Sequence, residues 1–201
     1  SLAIPAIVAQ LINMLYNIVD RIYIGHMPQV GALALTGVGL CFPVVYLISA
    51  FTMLVAQGGA PRAAIAMGEG DNDRAEQIMG SCFTCLVAVA VALTGLFWLF
   101  GEQLLWIFGC SEATIVYALP YMRIYSSGSL FVMMALGMNM FVTTQGFATV
   151  SMRTVLIGAV CNIVLDPIFI YGLDMGVEGA ALATVISQAV SGIWVVRFLT
   201  G

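Results

Sequence analysis

Val155-Leu-Ile-Gly-Ala-Val-Cys-Asn162-Ile-Val-Leu-Asp166-Pro-Ile-Phe-Ile-Tyr171 is an apolar run interrupted by one amide and, one helical turn later, one carboxylate. Residues four apart lie on one face of a helix, so Asn162 and Asp166 point the same way. A charged group inside hydrocarbon costs several kcal/mol, and ionisable residues kept there usually mark an ion or substrate pathway. Elsewhere the acids fall mostly in short hydrophilic connections. Asp166 is therefore the first place to look for function.

Working outward, the whole chain has the same apolar character. Of its 201 residues 62% are hydrophobic and 8% charged, against about 25% charged in an ordinary soluble domain. No soluble core could hide so much apolar side chain, which makes this an all-α integral membrane protein. At roughly 20 residues per span plus connections, about six transmembrane helices fit. The six basic residues are all Arg and do not cluster, so a nucleic-acid partner has no footprint. Cys41, Cys82, Cys85, Cys110 and Cys161 are scattered. Cys82-Phe83-Thr84-Cys85 has the form C-x-x-C, but without neighbouring His or further Cys it reads as small apolar packing. No charged leader or cleavage site precedes the first apolar segment, which reads as a trimmed start rather than a signal peptide.

Hydropathy and helix breakers predict spans over 2–24, 31–67, 75–100, 113–144, 150–171 and 177–199, together one six-helix lobe over 1–201. The second is too long for a simple span and is expected to project from the bilayer or to break near Gln57-Gly58-Gly59-Ala60-Pro61. Arg62, Arg74, Arg153 and Arg197 fall on one side. Glu102, Glu112, Asp174 and Glu178 fall on the other, with Arg21 the one basic residue near them. The positive-inside rule then predicts a multi-pass protein of the cytoplasmic membrane with both ends of the segment in the cytoplasm.

Three spans carry polar stripes. Gln10, Asn13, Asn17 and Asp20 occupy one arc of the first helix, Asn162 and Asp166 share a face of the fifth, and Thr184, Ser187, Gln188 and Ser191 share a face of the sixth. In lipid such groups turn inward to partners or water. One reading is that they only hold helices together, each contributing about 0.6 to 2 kcal/mol. Asp20 and Asp166 resist that reading. Two acids cannot neutralise each other, the chain has no Lys, and Arg21 points about 100° away from Asp20 along the helix. Such a pair needs a cation or a proton. A repeated pattern hints that the acids meet: Asp20-Arg-Ile-Tyr-Ile-Gly leads to Gly31-Ala-Leu-Ala-Leu-Thr36, and Asp166-Pro-Ile-Phe-Ile-Tyr leads to Gly179-Ala-Ala-Leu-Ala-Thr184.

The run from Cys161 to Tyr171, continued by Gly176-Val-Glu-Gly-Ala-Ala-Leu-Ala-Thr184-Val-Ile-Ser-Gln188, resembles the multidrug and toxic compound extrusion (MATE) family of cation-coupled efflux transporters. Leu2-Ala-Ile-Pro5, Asp20-Arg-Ile-Tyr-Ile-Gly25 and the segment from Gly58 to Ala75 are similar to its first helix and its connection between helices 2 and 3. The resemblance implies one lobe of a twelve-helix transporter, with a second six-helix lobe in the same or a partner chain. It also implies a site for a monovalent cation, Na⁺ or H⁺, at Asp20, Asn162, Asp166 and Thr184, with Tyr121 nearby. No other cofactor is implied. Thr143-Thr144-Gln145-Gly146 departs from relatives that carry an Arg there.

The expected activity is antiport: expulsion of amphipathic or cationic small molecules against inward Na⁺ or H⁺. Pro5 and Gly25 bracket a first helix able to bend at its ends. Gln10, Asn13, Asn17 and Met138 are candidates for the substrate cavity, Met138 as part of a methionine-rich adaptable surface. A related flippase for lipid-linked sugars would need more basic residues in the cavity, where only Arg123 is a candidate. An intramembrane aspartyl protease would need Gly-x-Gly-Asp around one acid, and Leu165-Asp166-Pro167 lacks it. The chain is not expected to be an enzyme.

Overall fold

A computed structural model describes residues 3–201. The predicted start of the first span, Leu2, lies outside the described residues. Eight α-helices follow in order: α1 Ala3–Gly25, α2 Gly31–Leu40, α3 Phe42–Gly68, α4 Asn72–Ile107, α5 Glu112–Ser127, α6 Ser129–Thr144, α7 Ala148–Pro167 and α8 Gly176–Thr200. A π-helical turn, Ile168–Gly172, continues α7. Among the described residues there is no strand.

The connections are short and locally determined. After α4, Gly109 adopts a φ of +95°, and the following Cys110 N–H reaches back to the Leu105 carbonyl at 3.0 Å. That left-handed glycine closes the helix end. Asp71 caps the start of α4 by accepting the Arg74 N–H at 3.0 Å, which satisfies a donor no helical carbonyl can reach.

Three details differ from the hydropathy reading. The break in the second span falls at Cys41, while the helix runs on unbroken through Pro61. Pro43 stands in the first turn of α3, where a missing N–H has no cost. The segments on either side still make one continuous span, Gly31–Gly68. Second, the predicted helix over 113–144 is two helices, α5 and α6, bent by 54° at Gly128. A β-carbon at Gly128 would collide with the Val185 side chain, so α8 fills the inside of the bend. Third, length and apolarity alone single out four spans, or five with the bent pair, and α1 is not among them. Its 23 residues are long enough, but the Gln10, Asn13, Asn17 and Asp20 stripe dilutes its apolar character.

The helices pack through small residues, as expected where lipid supplies no hydrophobic drive between them. Gly179, Ala180, Ala181, Ala183, Ser187, Ser191 and Gly192 are buried along α8, which lies against α5, α6 and α7. At Gly179 a β-carbon would stand 2.8 Å from the Phe169 carbonyl carbon, and at Gly31 it would run into the Gly25 carbonyl. The glycines of the repeated sequence pattern thus both seat a helix start against the end of the helix before it. The outer surface is apolar, with Ile4, Ile7, Leu11, Leu15 and Ile18 exposed on α1 alone.

Most buried polar groups inside this bundle are paired. Thr52 Oγ1 donates to the Ile48 carbonyl at 2.7 Å, Ser187 Oγ to Ala183 at 2.7 Å, and Ser191 Oγ crosses from α8 to the Thr154 carbonyl at 3.2 Å. Thr94 Oγ1 donates to the Ser126 carbonyl at 2.7 Å, tying α4 to α5. Buried polar atoms are normally paired in this way. The exceptions are few, and most of them lie where α1 packs on α7.

Candidate functional site

Among the described residues, four buried side-chain atoms lack a hydrogen-bond partner: Asp20 Oδ1, Asn162 Oδ1, Asp166 Oδ2 and Asn139 Oδ1. All are oxygens, and the first three belong to residues the sequence singled out. Asp166 is completely buried and Asn162 is 1% exposed.

The local fold explains the arrangement. Asn162 and Asp166 sit four apart on α7, and the Asn162 Nδ2 donates to Asp166 Oδ1 at 3.2 Å. Its second proton goes to Thr184 Oγ1 on α8 at 3.3 Å. With both amide protons committed, the amide oxygen is turned the other way and left as a free acceptor. α1 packs along α7 and brings Asp20 up to Asp166 as its neighbour. Arg21 makes no ion pair with either acid within 4 Å. Its guanidinium stacks over the Phe42 ring, 4.5 Å from the centroid. The one ion pair within 4 Å among the described residues is Arg74–Glu69, at 3.9 Å.

Buried acceptors without donors are a ligand set for a cation or a proton. No cluster of three His, Cys, Asp or Glu side chains able to hold a metal ion exists among the described residues. The donor set here is two carboxylates, one amide oxygen and one hydroxyl, which are hard oxygen ligands.

Beside the acids lies a cavity of about 410 Å³. Gln10, Asn13, Asn17, Asp20, Tyr121 and Thr184 all line it, so the structure brings most of the predicted site residues to one space. Asn17 serves it only partly, because its Nδ2 turns back to the Asn13 carbonyl at 2.7 Å. Tyr121 is buried and stacks on Tyr125, the ring centroids 6.2 Å apart. Met138 is a correction. It is 3% exposed within the apolar core and lines neither this cavity nor the one below it. The next residue, Asn139, points about 100° around α6 and lines only the smaller cavity.

Sequence reasoning missed three participants. Tyr16 and Arg21 line the large cavity, and Asn139 lines a smaller one of about 40 Å³, which has room for about two water molecules. Asn13, Tyr16, Leu136, Thr184 and Gln188 border both spaces, Asp20 lines only the larger and Asn162 only the smaller, and Asp166 is sealed from both. An isolated amide in the otherwise apolar Gly137-Met-Asn139-Met-Phe141 was the available signal for Asn139. Arg123, weighed as a cavity residue, instead lies in a separate groove beside Trp98.

Comparison with known proteins places these features in company. The MatE family profile matches residues 5–168. The multidrug export protein MepA of Staphylococcus haemolyticus (strain JCSC1435) is 25% identical over 198 residues, covering 98% of this chain and 43% of that protein. The solved outward-facing conformation of a multidrug resistance MATE family transporter of the MOP superfamily superposes with a TM-score of 0.91 at 28% identity, over 99% of this chain and 44% of that one. A MOP superfamily transporter from Pyrococcus furiosus gives a TM-score of 0.90 at 28% identity, over 99% of this chain and 43% of its own. The chain spans less than half the length of these relatives.

Proposed function

The chain belongs to the MatE family, and from that membership we propose that it is the ion-coupling lobe of a cation-driven multidrug efflux transporter. The observation that carries this reading is the group of three buried, donorless oxygens on Asp20, Asn162 and Asp166 beside a polar cavity. Asp20 and Asp166 supply negative charge, and Thr184 Oγ1 together with Asn162 Oδ1, once the amide turns over from the orientation seen here, completes an oxygen shell for Na⁺. Protons on the two carboxyls satisfy the same oxygens, so H⁺ is the other coupling ion with equal chemistry.

Transport follows from unequal binding. An ion drives a conformational change only by as much as its affinity differs between the two states. Binding at the acids joins α1 to α7 and α8, and release leaves the facing carboxylates to repel, which favours a different seat for α1. That motion changes the walls of the 410 Å³ cavity, where Gln10, Asn13 and Asn17 offer polar contacts to an amphipathic or cationic substrate. A second six-helix lobe, in the same or a partner chain, supplies the other half of the pathway. The lobe spans the cytoplasmic membrane with both ends of this segment on the cytoplasmic side.

The rival readings find less support. Arg123 lies outside the cavity, and the one cavity arginine, Arg21, is stacked on Phe42, so a pyrophosphate-bearing lipid has little to grip. Two adjacent carboxyls alone also suit an aspartyl protease, but this family is one of transporters.

The test is ion-driven efflux by the full-length protein in vesicles, with sodium and proton gradients imposed separately. Asp166→Asn is expected to reduce the ion-dependent component at least ~100-fold, about 2.7 kcal/mol for one essential charged ligand. Efflux unchanged in both Asp20→Asn and Asp166→Asn would sink the proposal.

A further inference from the structure

A groove of about 530 Å³ runs between α4, α5 and α8, on the side of the bundle away from the α1 stripe. Its walls are largely apolar, with Leu119, Phe131, Leu182 and Val185 among them, yet it also contains Arg123 and Glu178. Arg123 is exposed although it stands twelfth in a helix of 16 residues. Neither it nor Glu178 has an ion-pair partner within 4 Å among the described residues.

The arginine is held in place. Its guanidinium lies over the Trp98 ring, 5.7 Å from the centroid. Trp98 Nε1 donates to Ser127 Oγ at 3.0 Å, and Ser127 Oγ donates to the Arg123 carbonyl at 2.7 Å. The indole is thereby fixed as a platform for the cation. Height along the bundle follows from the packing of Gly128 on Val185. Five residues back along both helices, Arg123 stands level with Ala180, two residues and about 3 Å from Glu178. Glu178 is in the first turn of α8, at the start of a helix long and apolar enough to cross a membrane. Opposite charges thus sit at nearly one level, at the depth where Trp and Arg belong in a membrane protein.

We propose that this groove binds a zwitterionic phospholipid, its phosphate on Arg123 and its ammonium on Glu178, with an acyl chain along Leu182, Val185 and Phe131. The surrounding bilayer supplies phosphate at that height, and a fixed, unpaired guanidinium on an apolar wall is complementary to it. Glu178 gives the selectivity, since a carboxylate beside the phosphate site favours a headgroup carrying its own ammonium and repels one with net negative charge.

The experiment uses the full-length protein with Trp98 as its sole tryptophan, reconstituted in vesicles containing dibrominated phosphatidylethanolamine or dibrominated phosphatidylglycerol. Bromine quenches a nearby indole, so Trp98 reports occupancy of the groove. Phosphatidylethanolamine is expected to quench at about five-fold lower mole fraction than phosphatidylglycerol. Arg123→Gln should weaken quenching by both lipids, Arg123→Lys should retain part of it, and Glu178→Gln should erase the difference between them. A protein with Trp194 as sole reporter should show no preference and verifies that each variant is folded in the bilayer. Equal quenching of Trp98 by the two lipids, stronger quenching by phosphatidylglycerol, or an unchanged Arg123→Gln variant would each overturn the assignment.

Discussion

At the scale of single residues, Asn162 decides the chemistry of the site. It commits both amide protons, to Asp166 and to Thr184, and so turns its oxygen away from them as a free buried acceptor. Thr184 is therefore doubly placed, as the partner that orients Asn162 and as a proposed ion ligand. Thr184→Ser keeps the hydroxyl and is expected to leave ion affinity within about two-fold, whereas Thr184→Val removes an acceptor and should weaken it about ten-fold, or about 1.4 kcal/mol. Sodium titration of the purified full-length protein, read by calorimetry, separates the two variants. Equal affinities in both would remove Thr184 from the shell. The spacing of Asn162 and Asp166 was legible because helical periodicity puts residues four apart on one face. Met138 was not. A methionine in a run of methionines has the same composition whether it faces a cavity or the core, and only the packing of α6 assigns it to the core and Asn139 to the polar side.

At the scale of helices, the breaks were the least legible feature of the sequence. Pro61 looked like a breaker, yet α3 continues through it, which neighbouring helices allow in a membrane bundle when they support the interrupted turn. Pro43, in the first turn of α3, accompanies the actual interruption at Cys41. The 54° bend between α5 and α6 was hidden for a different reason. Gly128 is one of 21 glycines, and what makes it a corner is the Val185 side chain packed into it from α8, a contact 57 positions away in sequence. A larger residue there must push α8 away. Gly128→Leu is expected to destabilise the folded protein by about 1–3 kcal/mol, seen as a lower midpoint in thermal unfolding in detergent. Gly58→Leu, where a β-carbon meets open space, is the matched control and should shift the midpoint little.

At the scale of the whole molecule, the ends of α1 and α7 are joined directly. Tyr171, in the π-helical turn after α7, donates its hydroxyl to the Tyr23 carbonyl near the end of α1 at 2.6 Å, and the two rings meet edge to face. If α1 reseats itself during transport, this bond lies on the moving boundary. Tyr171→Phe removes about 1 kcal/mol from the seat seen here, enough to shift the resting balance of conformations about five-fold. Distances between spin labels on α1 and α3 in the full-length protein would register that shift, and an unaltered distribution would exclude the bond from the switch. Two facing carboxylates without a lysine have a further meaning, an electrical one. In the proton-coupled form of the proposed antiport, two protons taken up by the acid pair for each monovalent organic cation exported would carry net current across the bilayer. Each uncompensated charge adds about 2.3 kcal/mol of driving force per 100 mV. Under the proposed antiport, the side-by-side placement of Asp20 and Asp166 would make the transmembrane voltage, as well as the ion gradient, a driving force for transport.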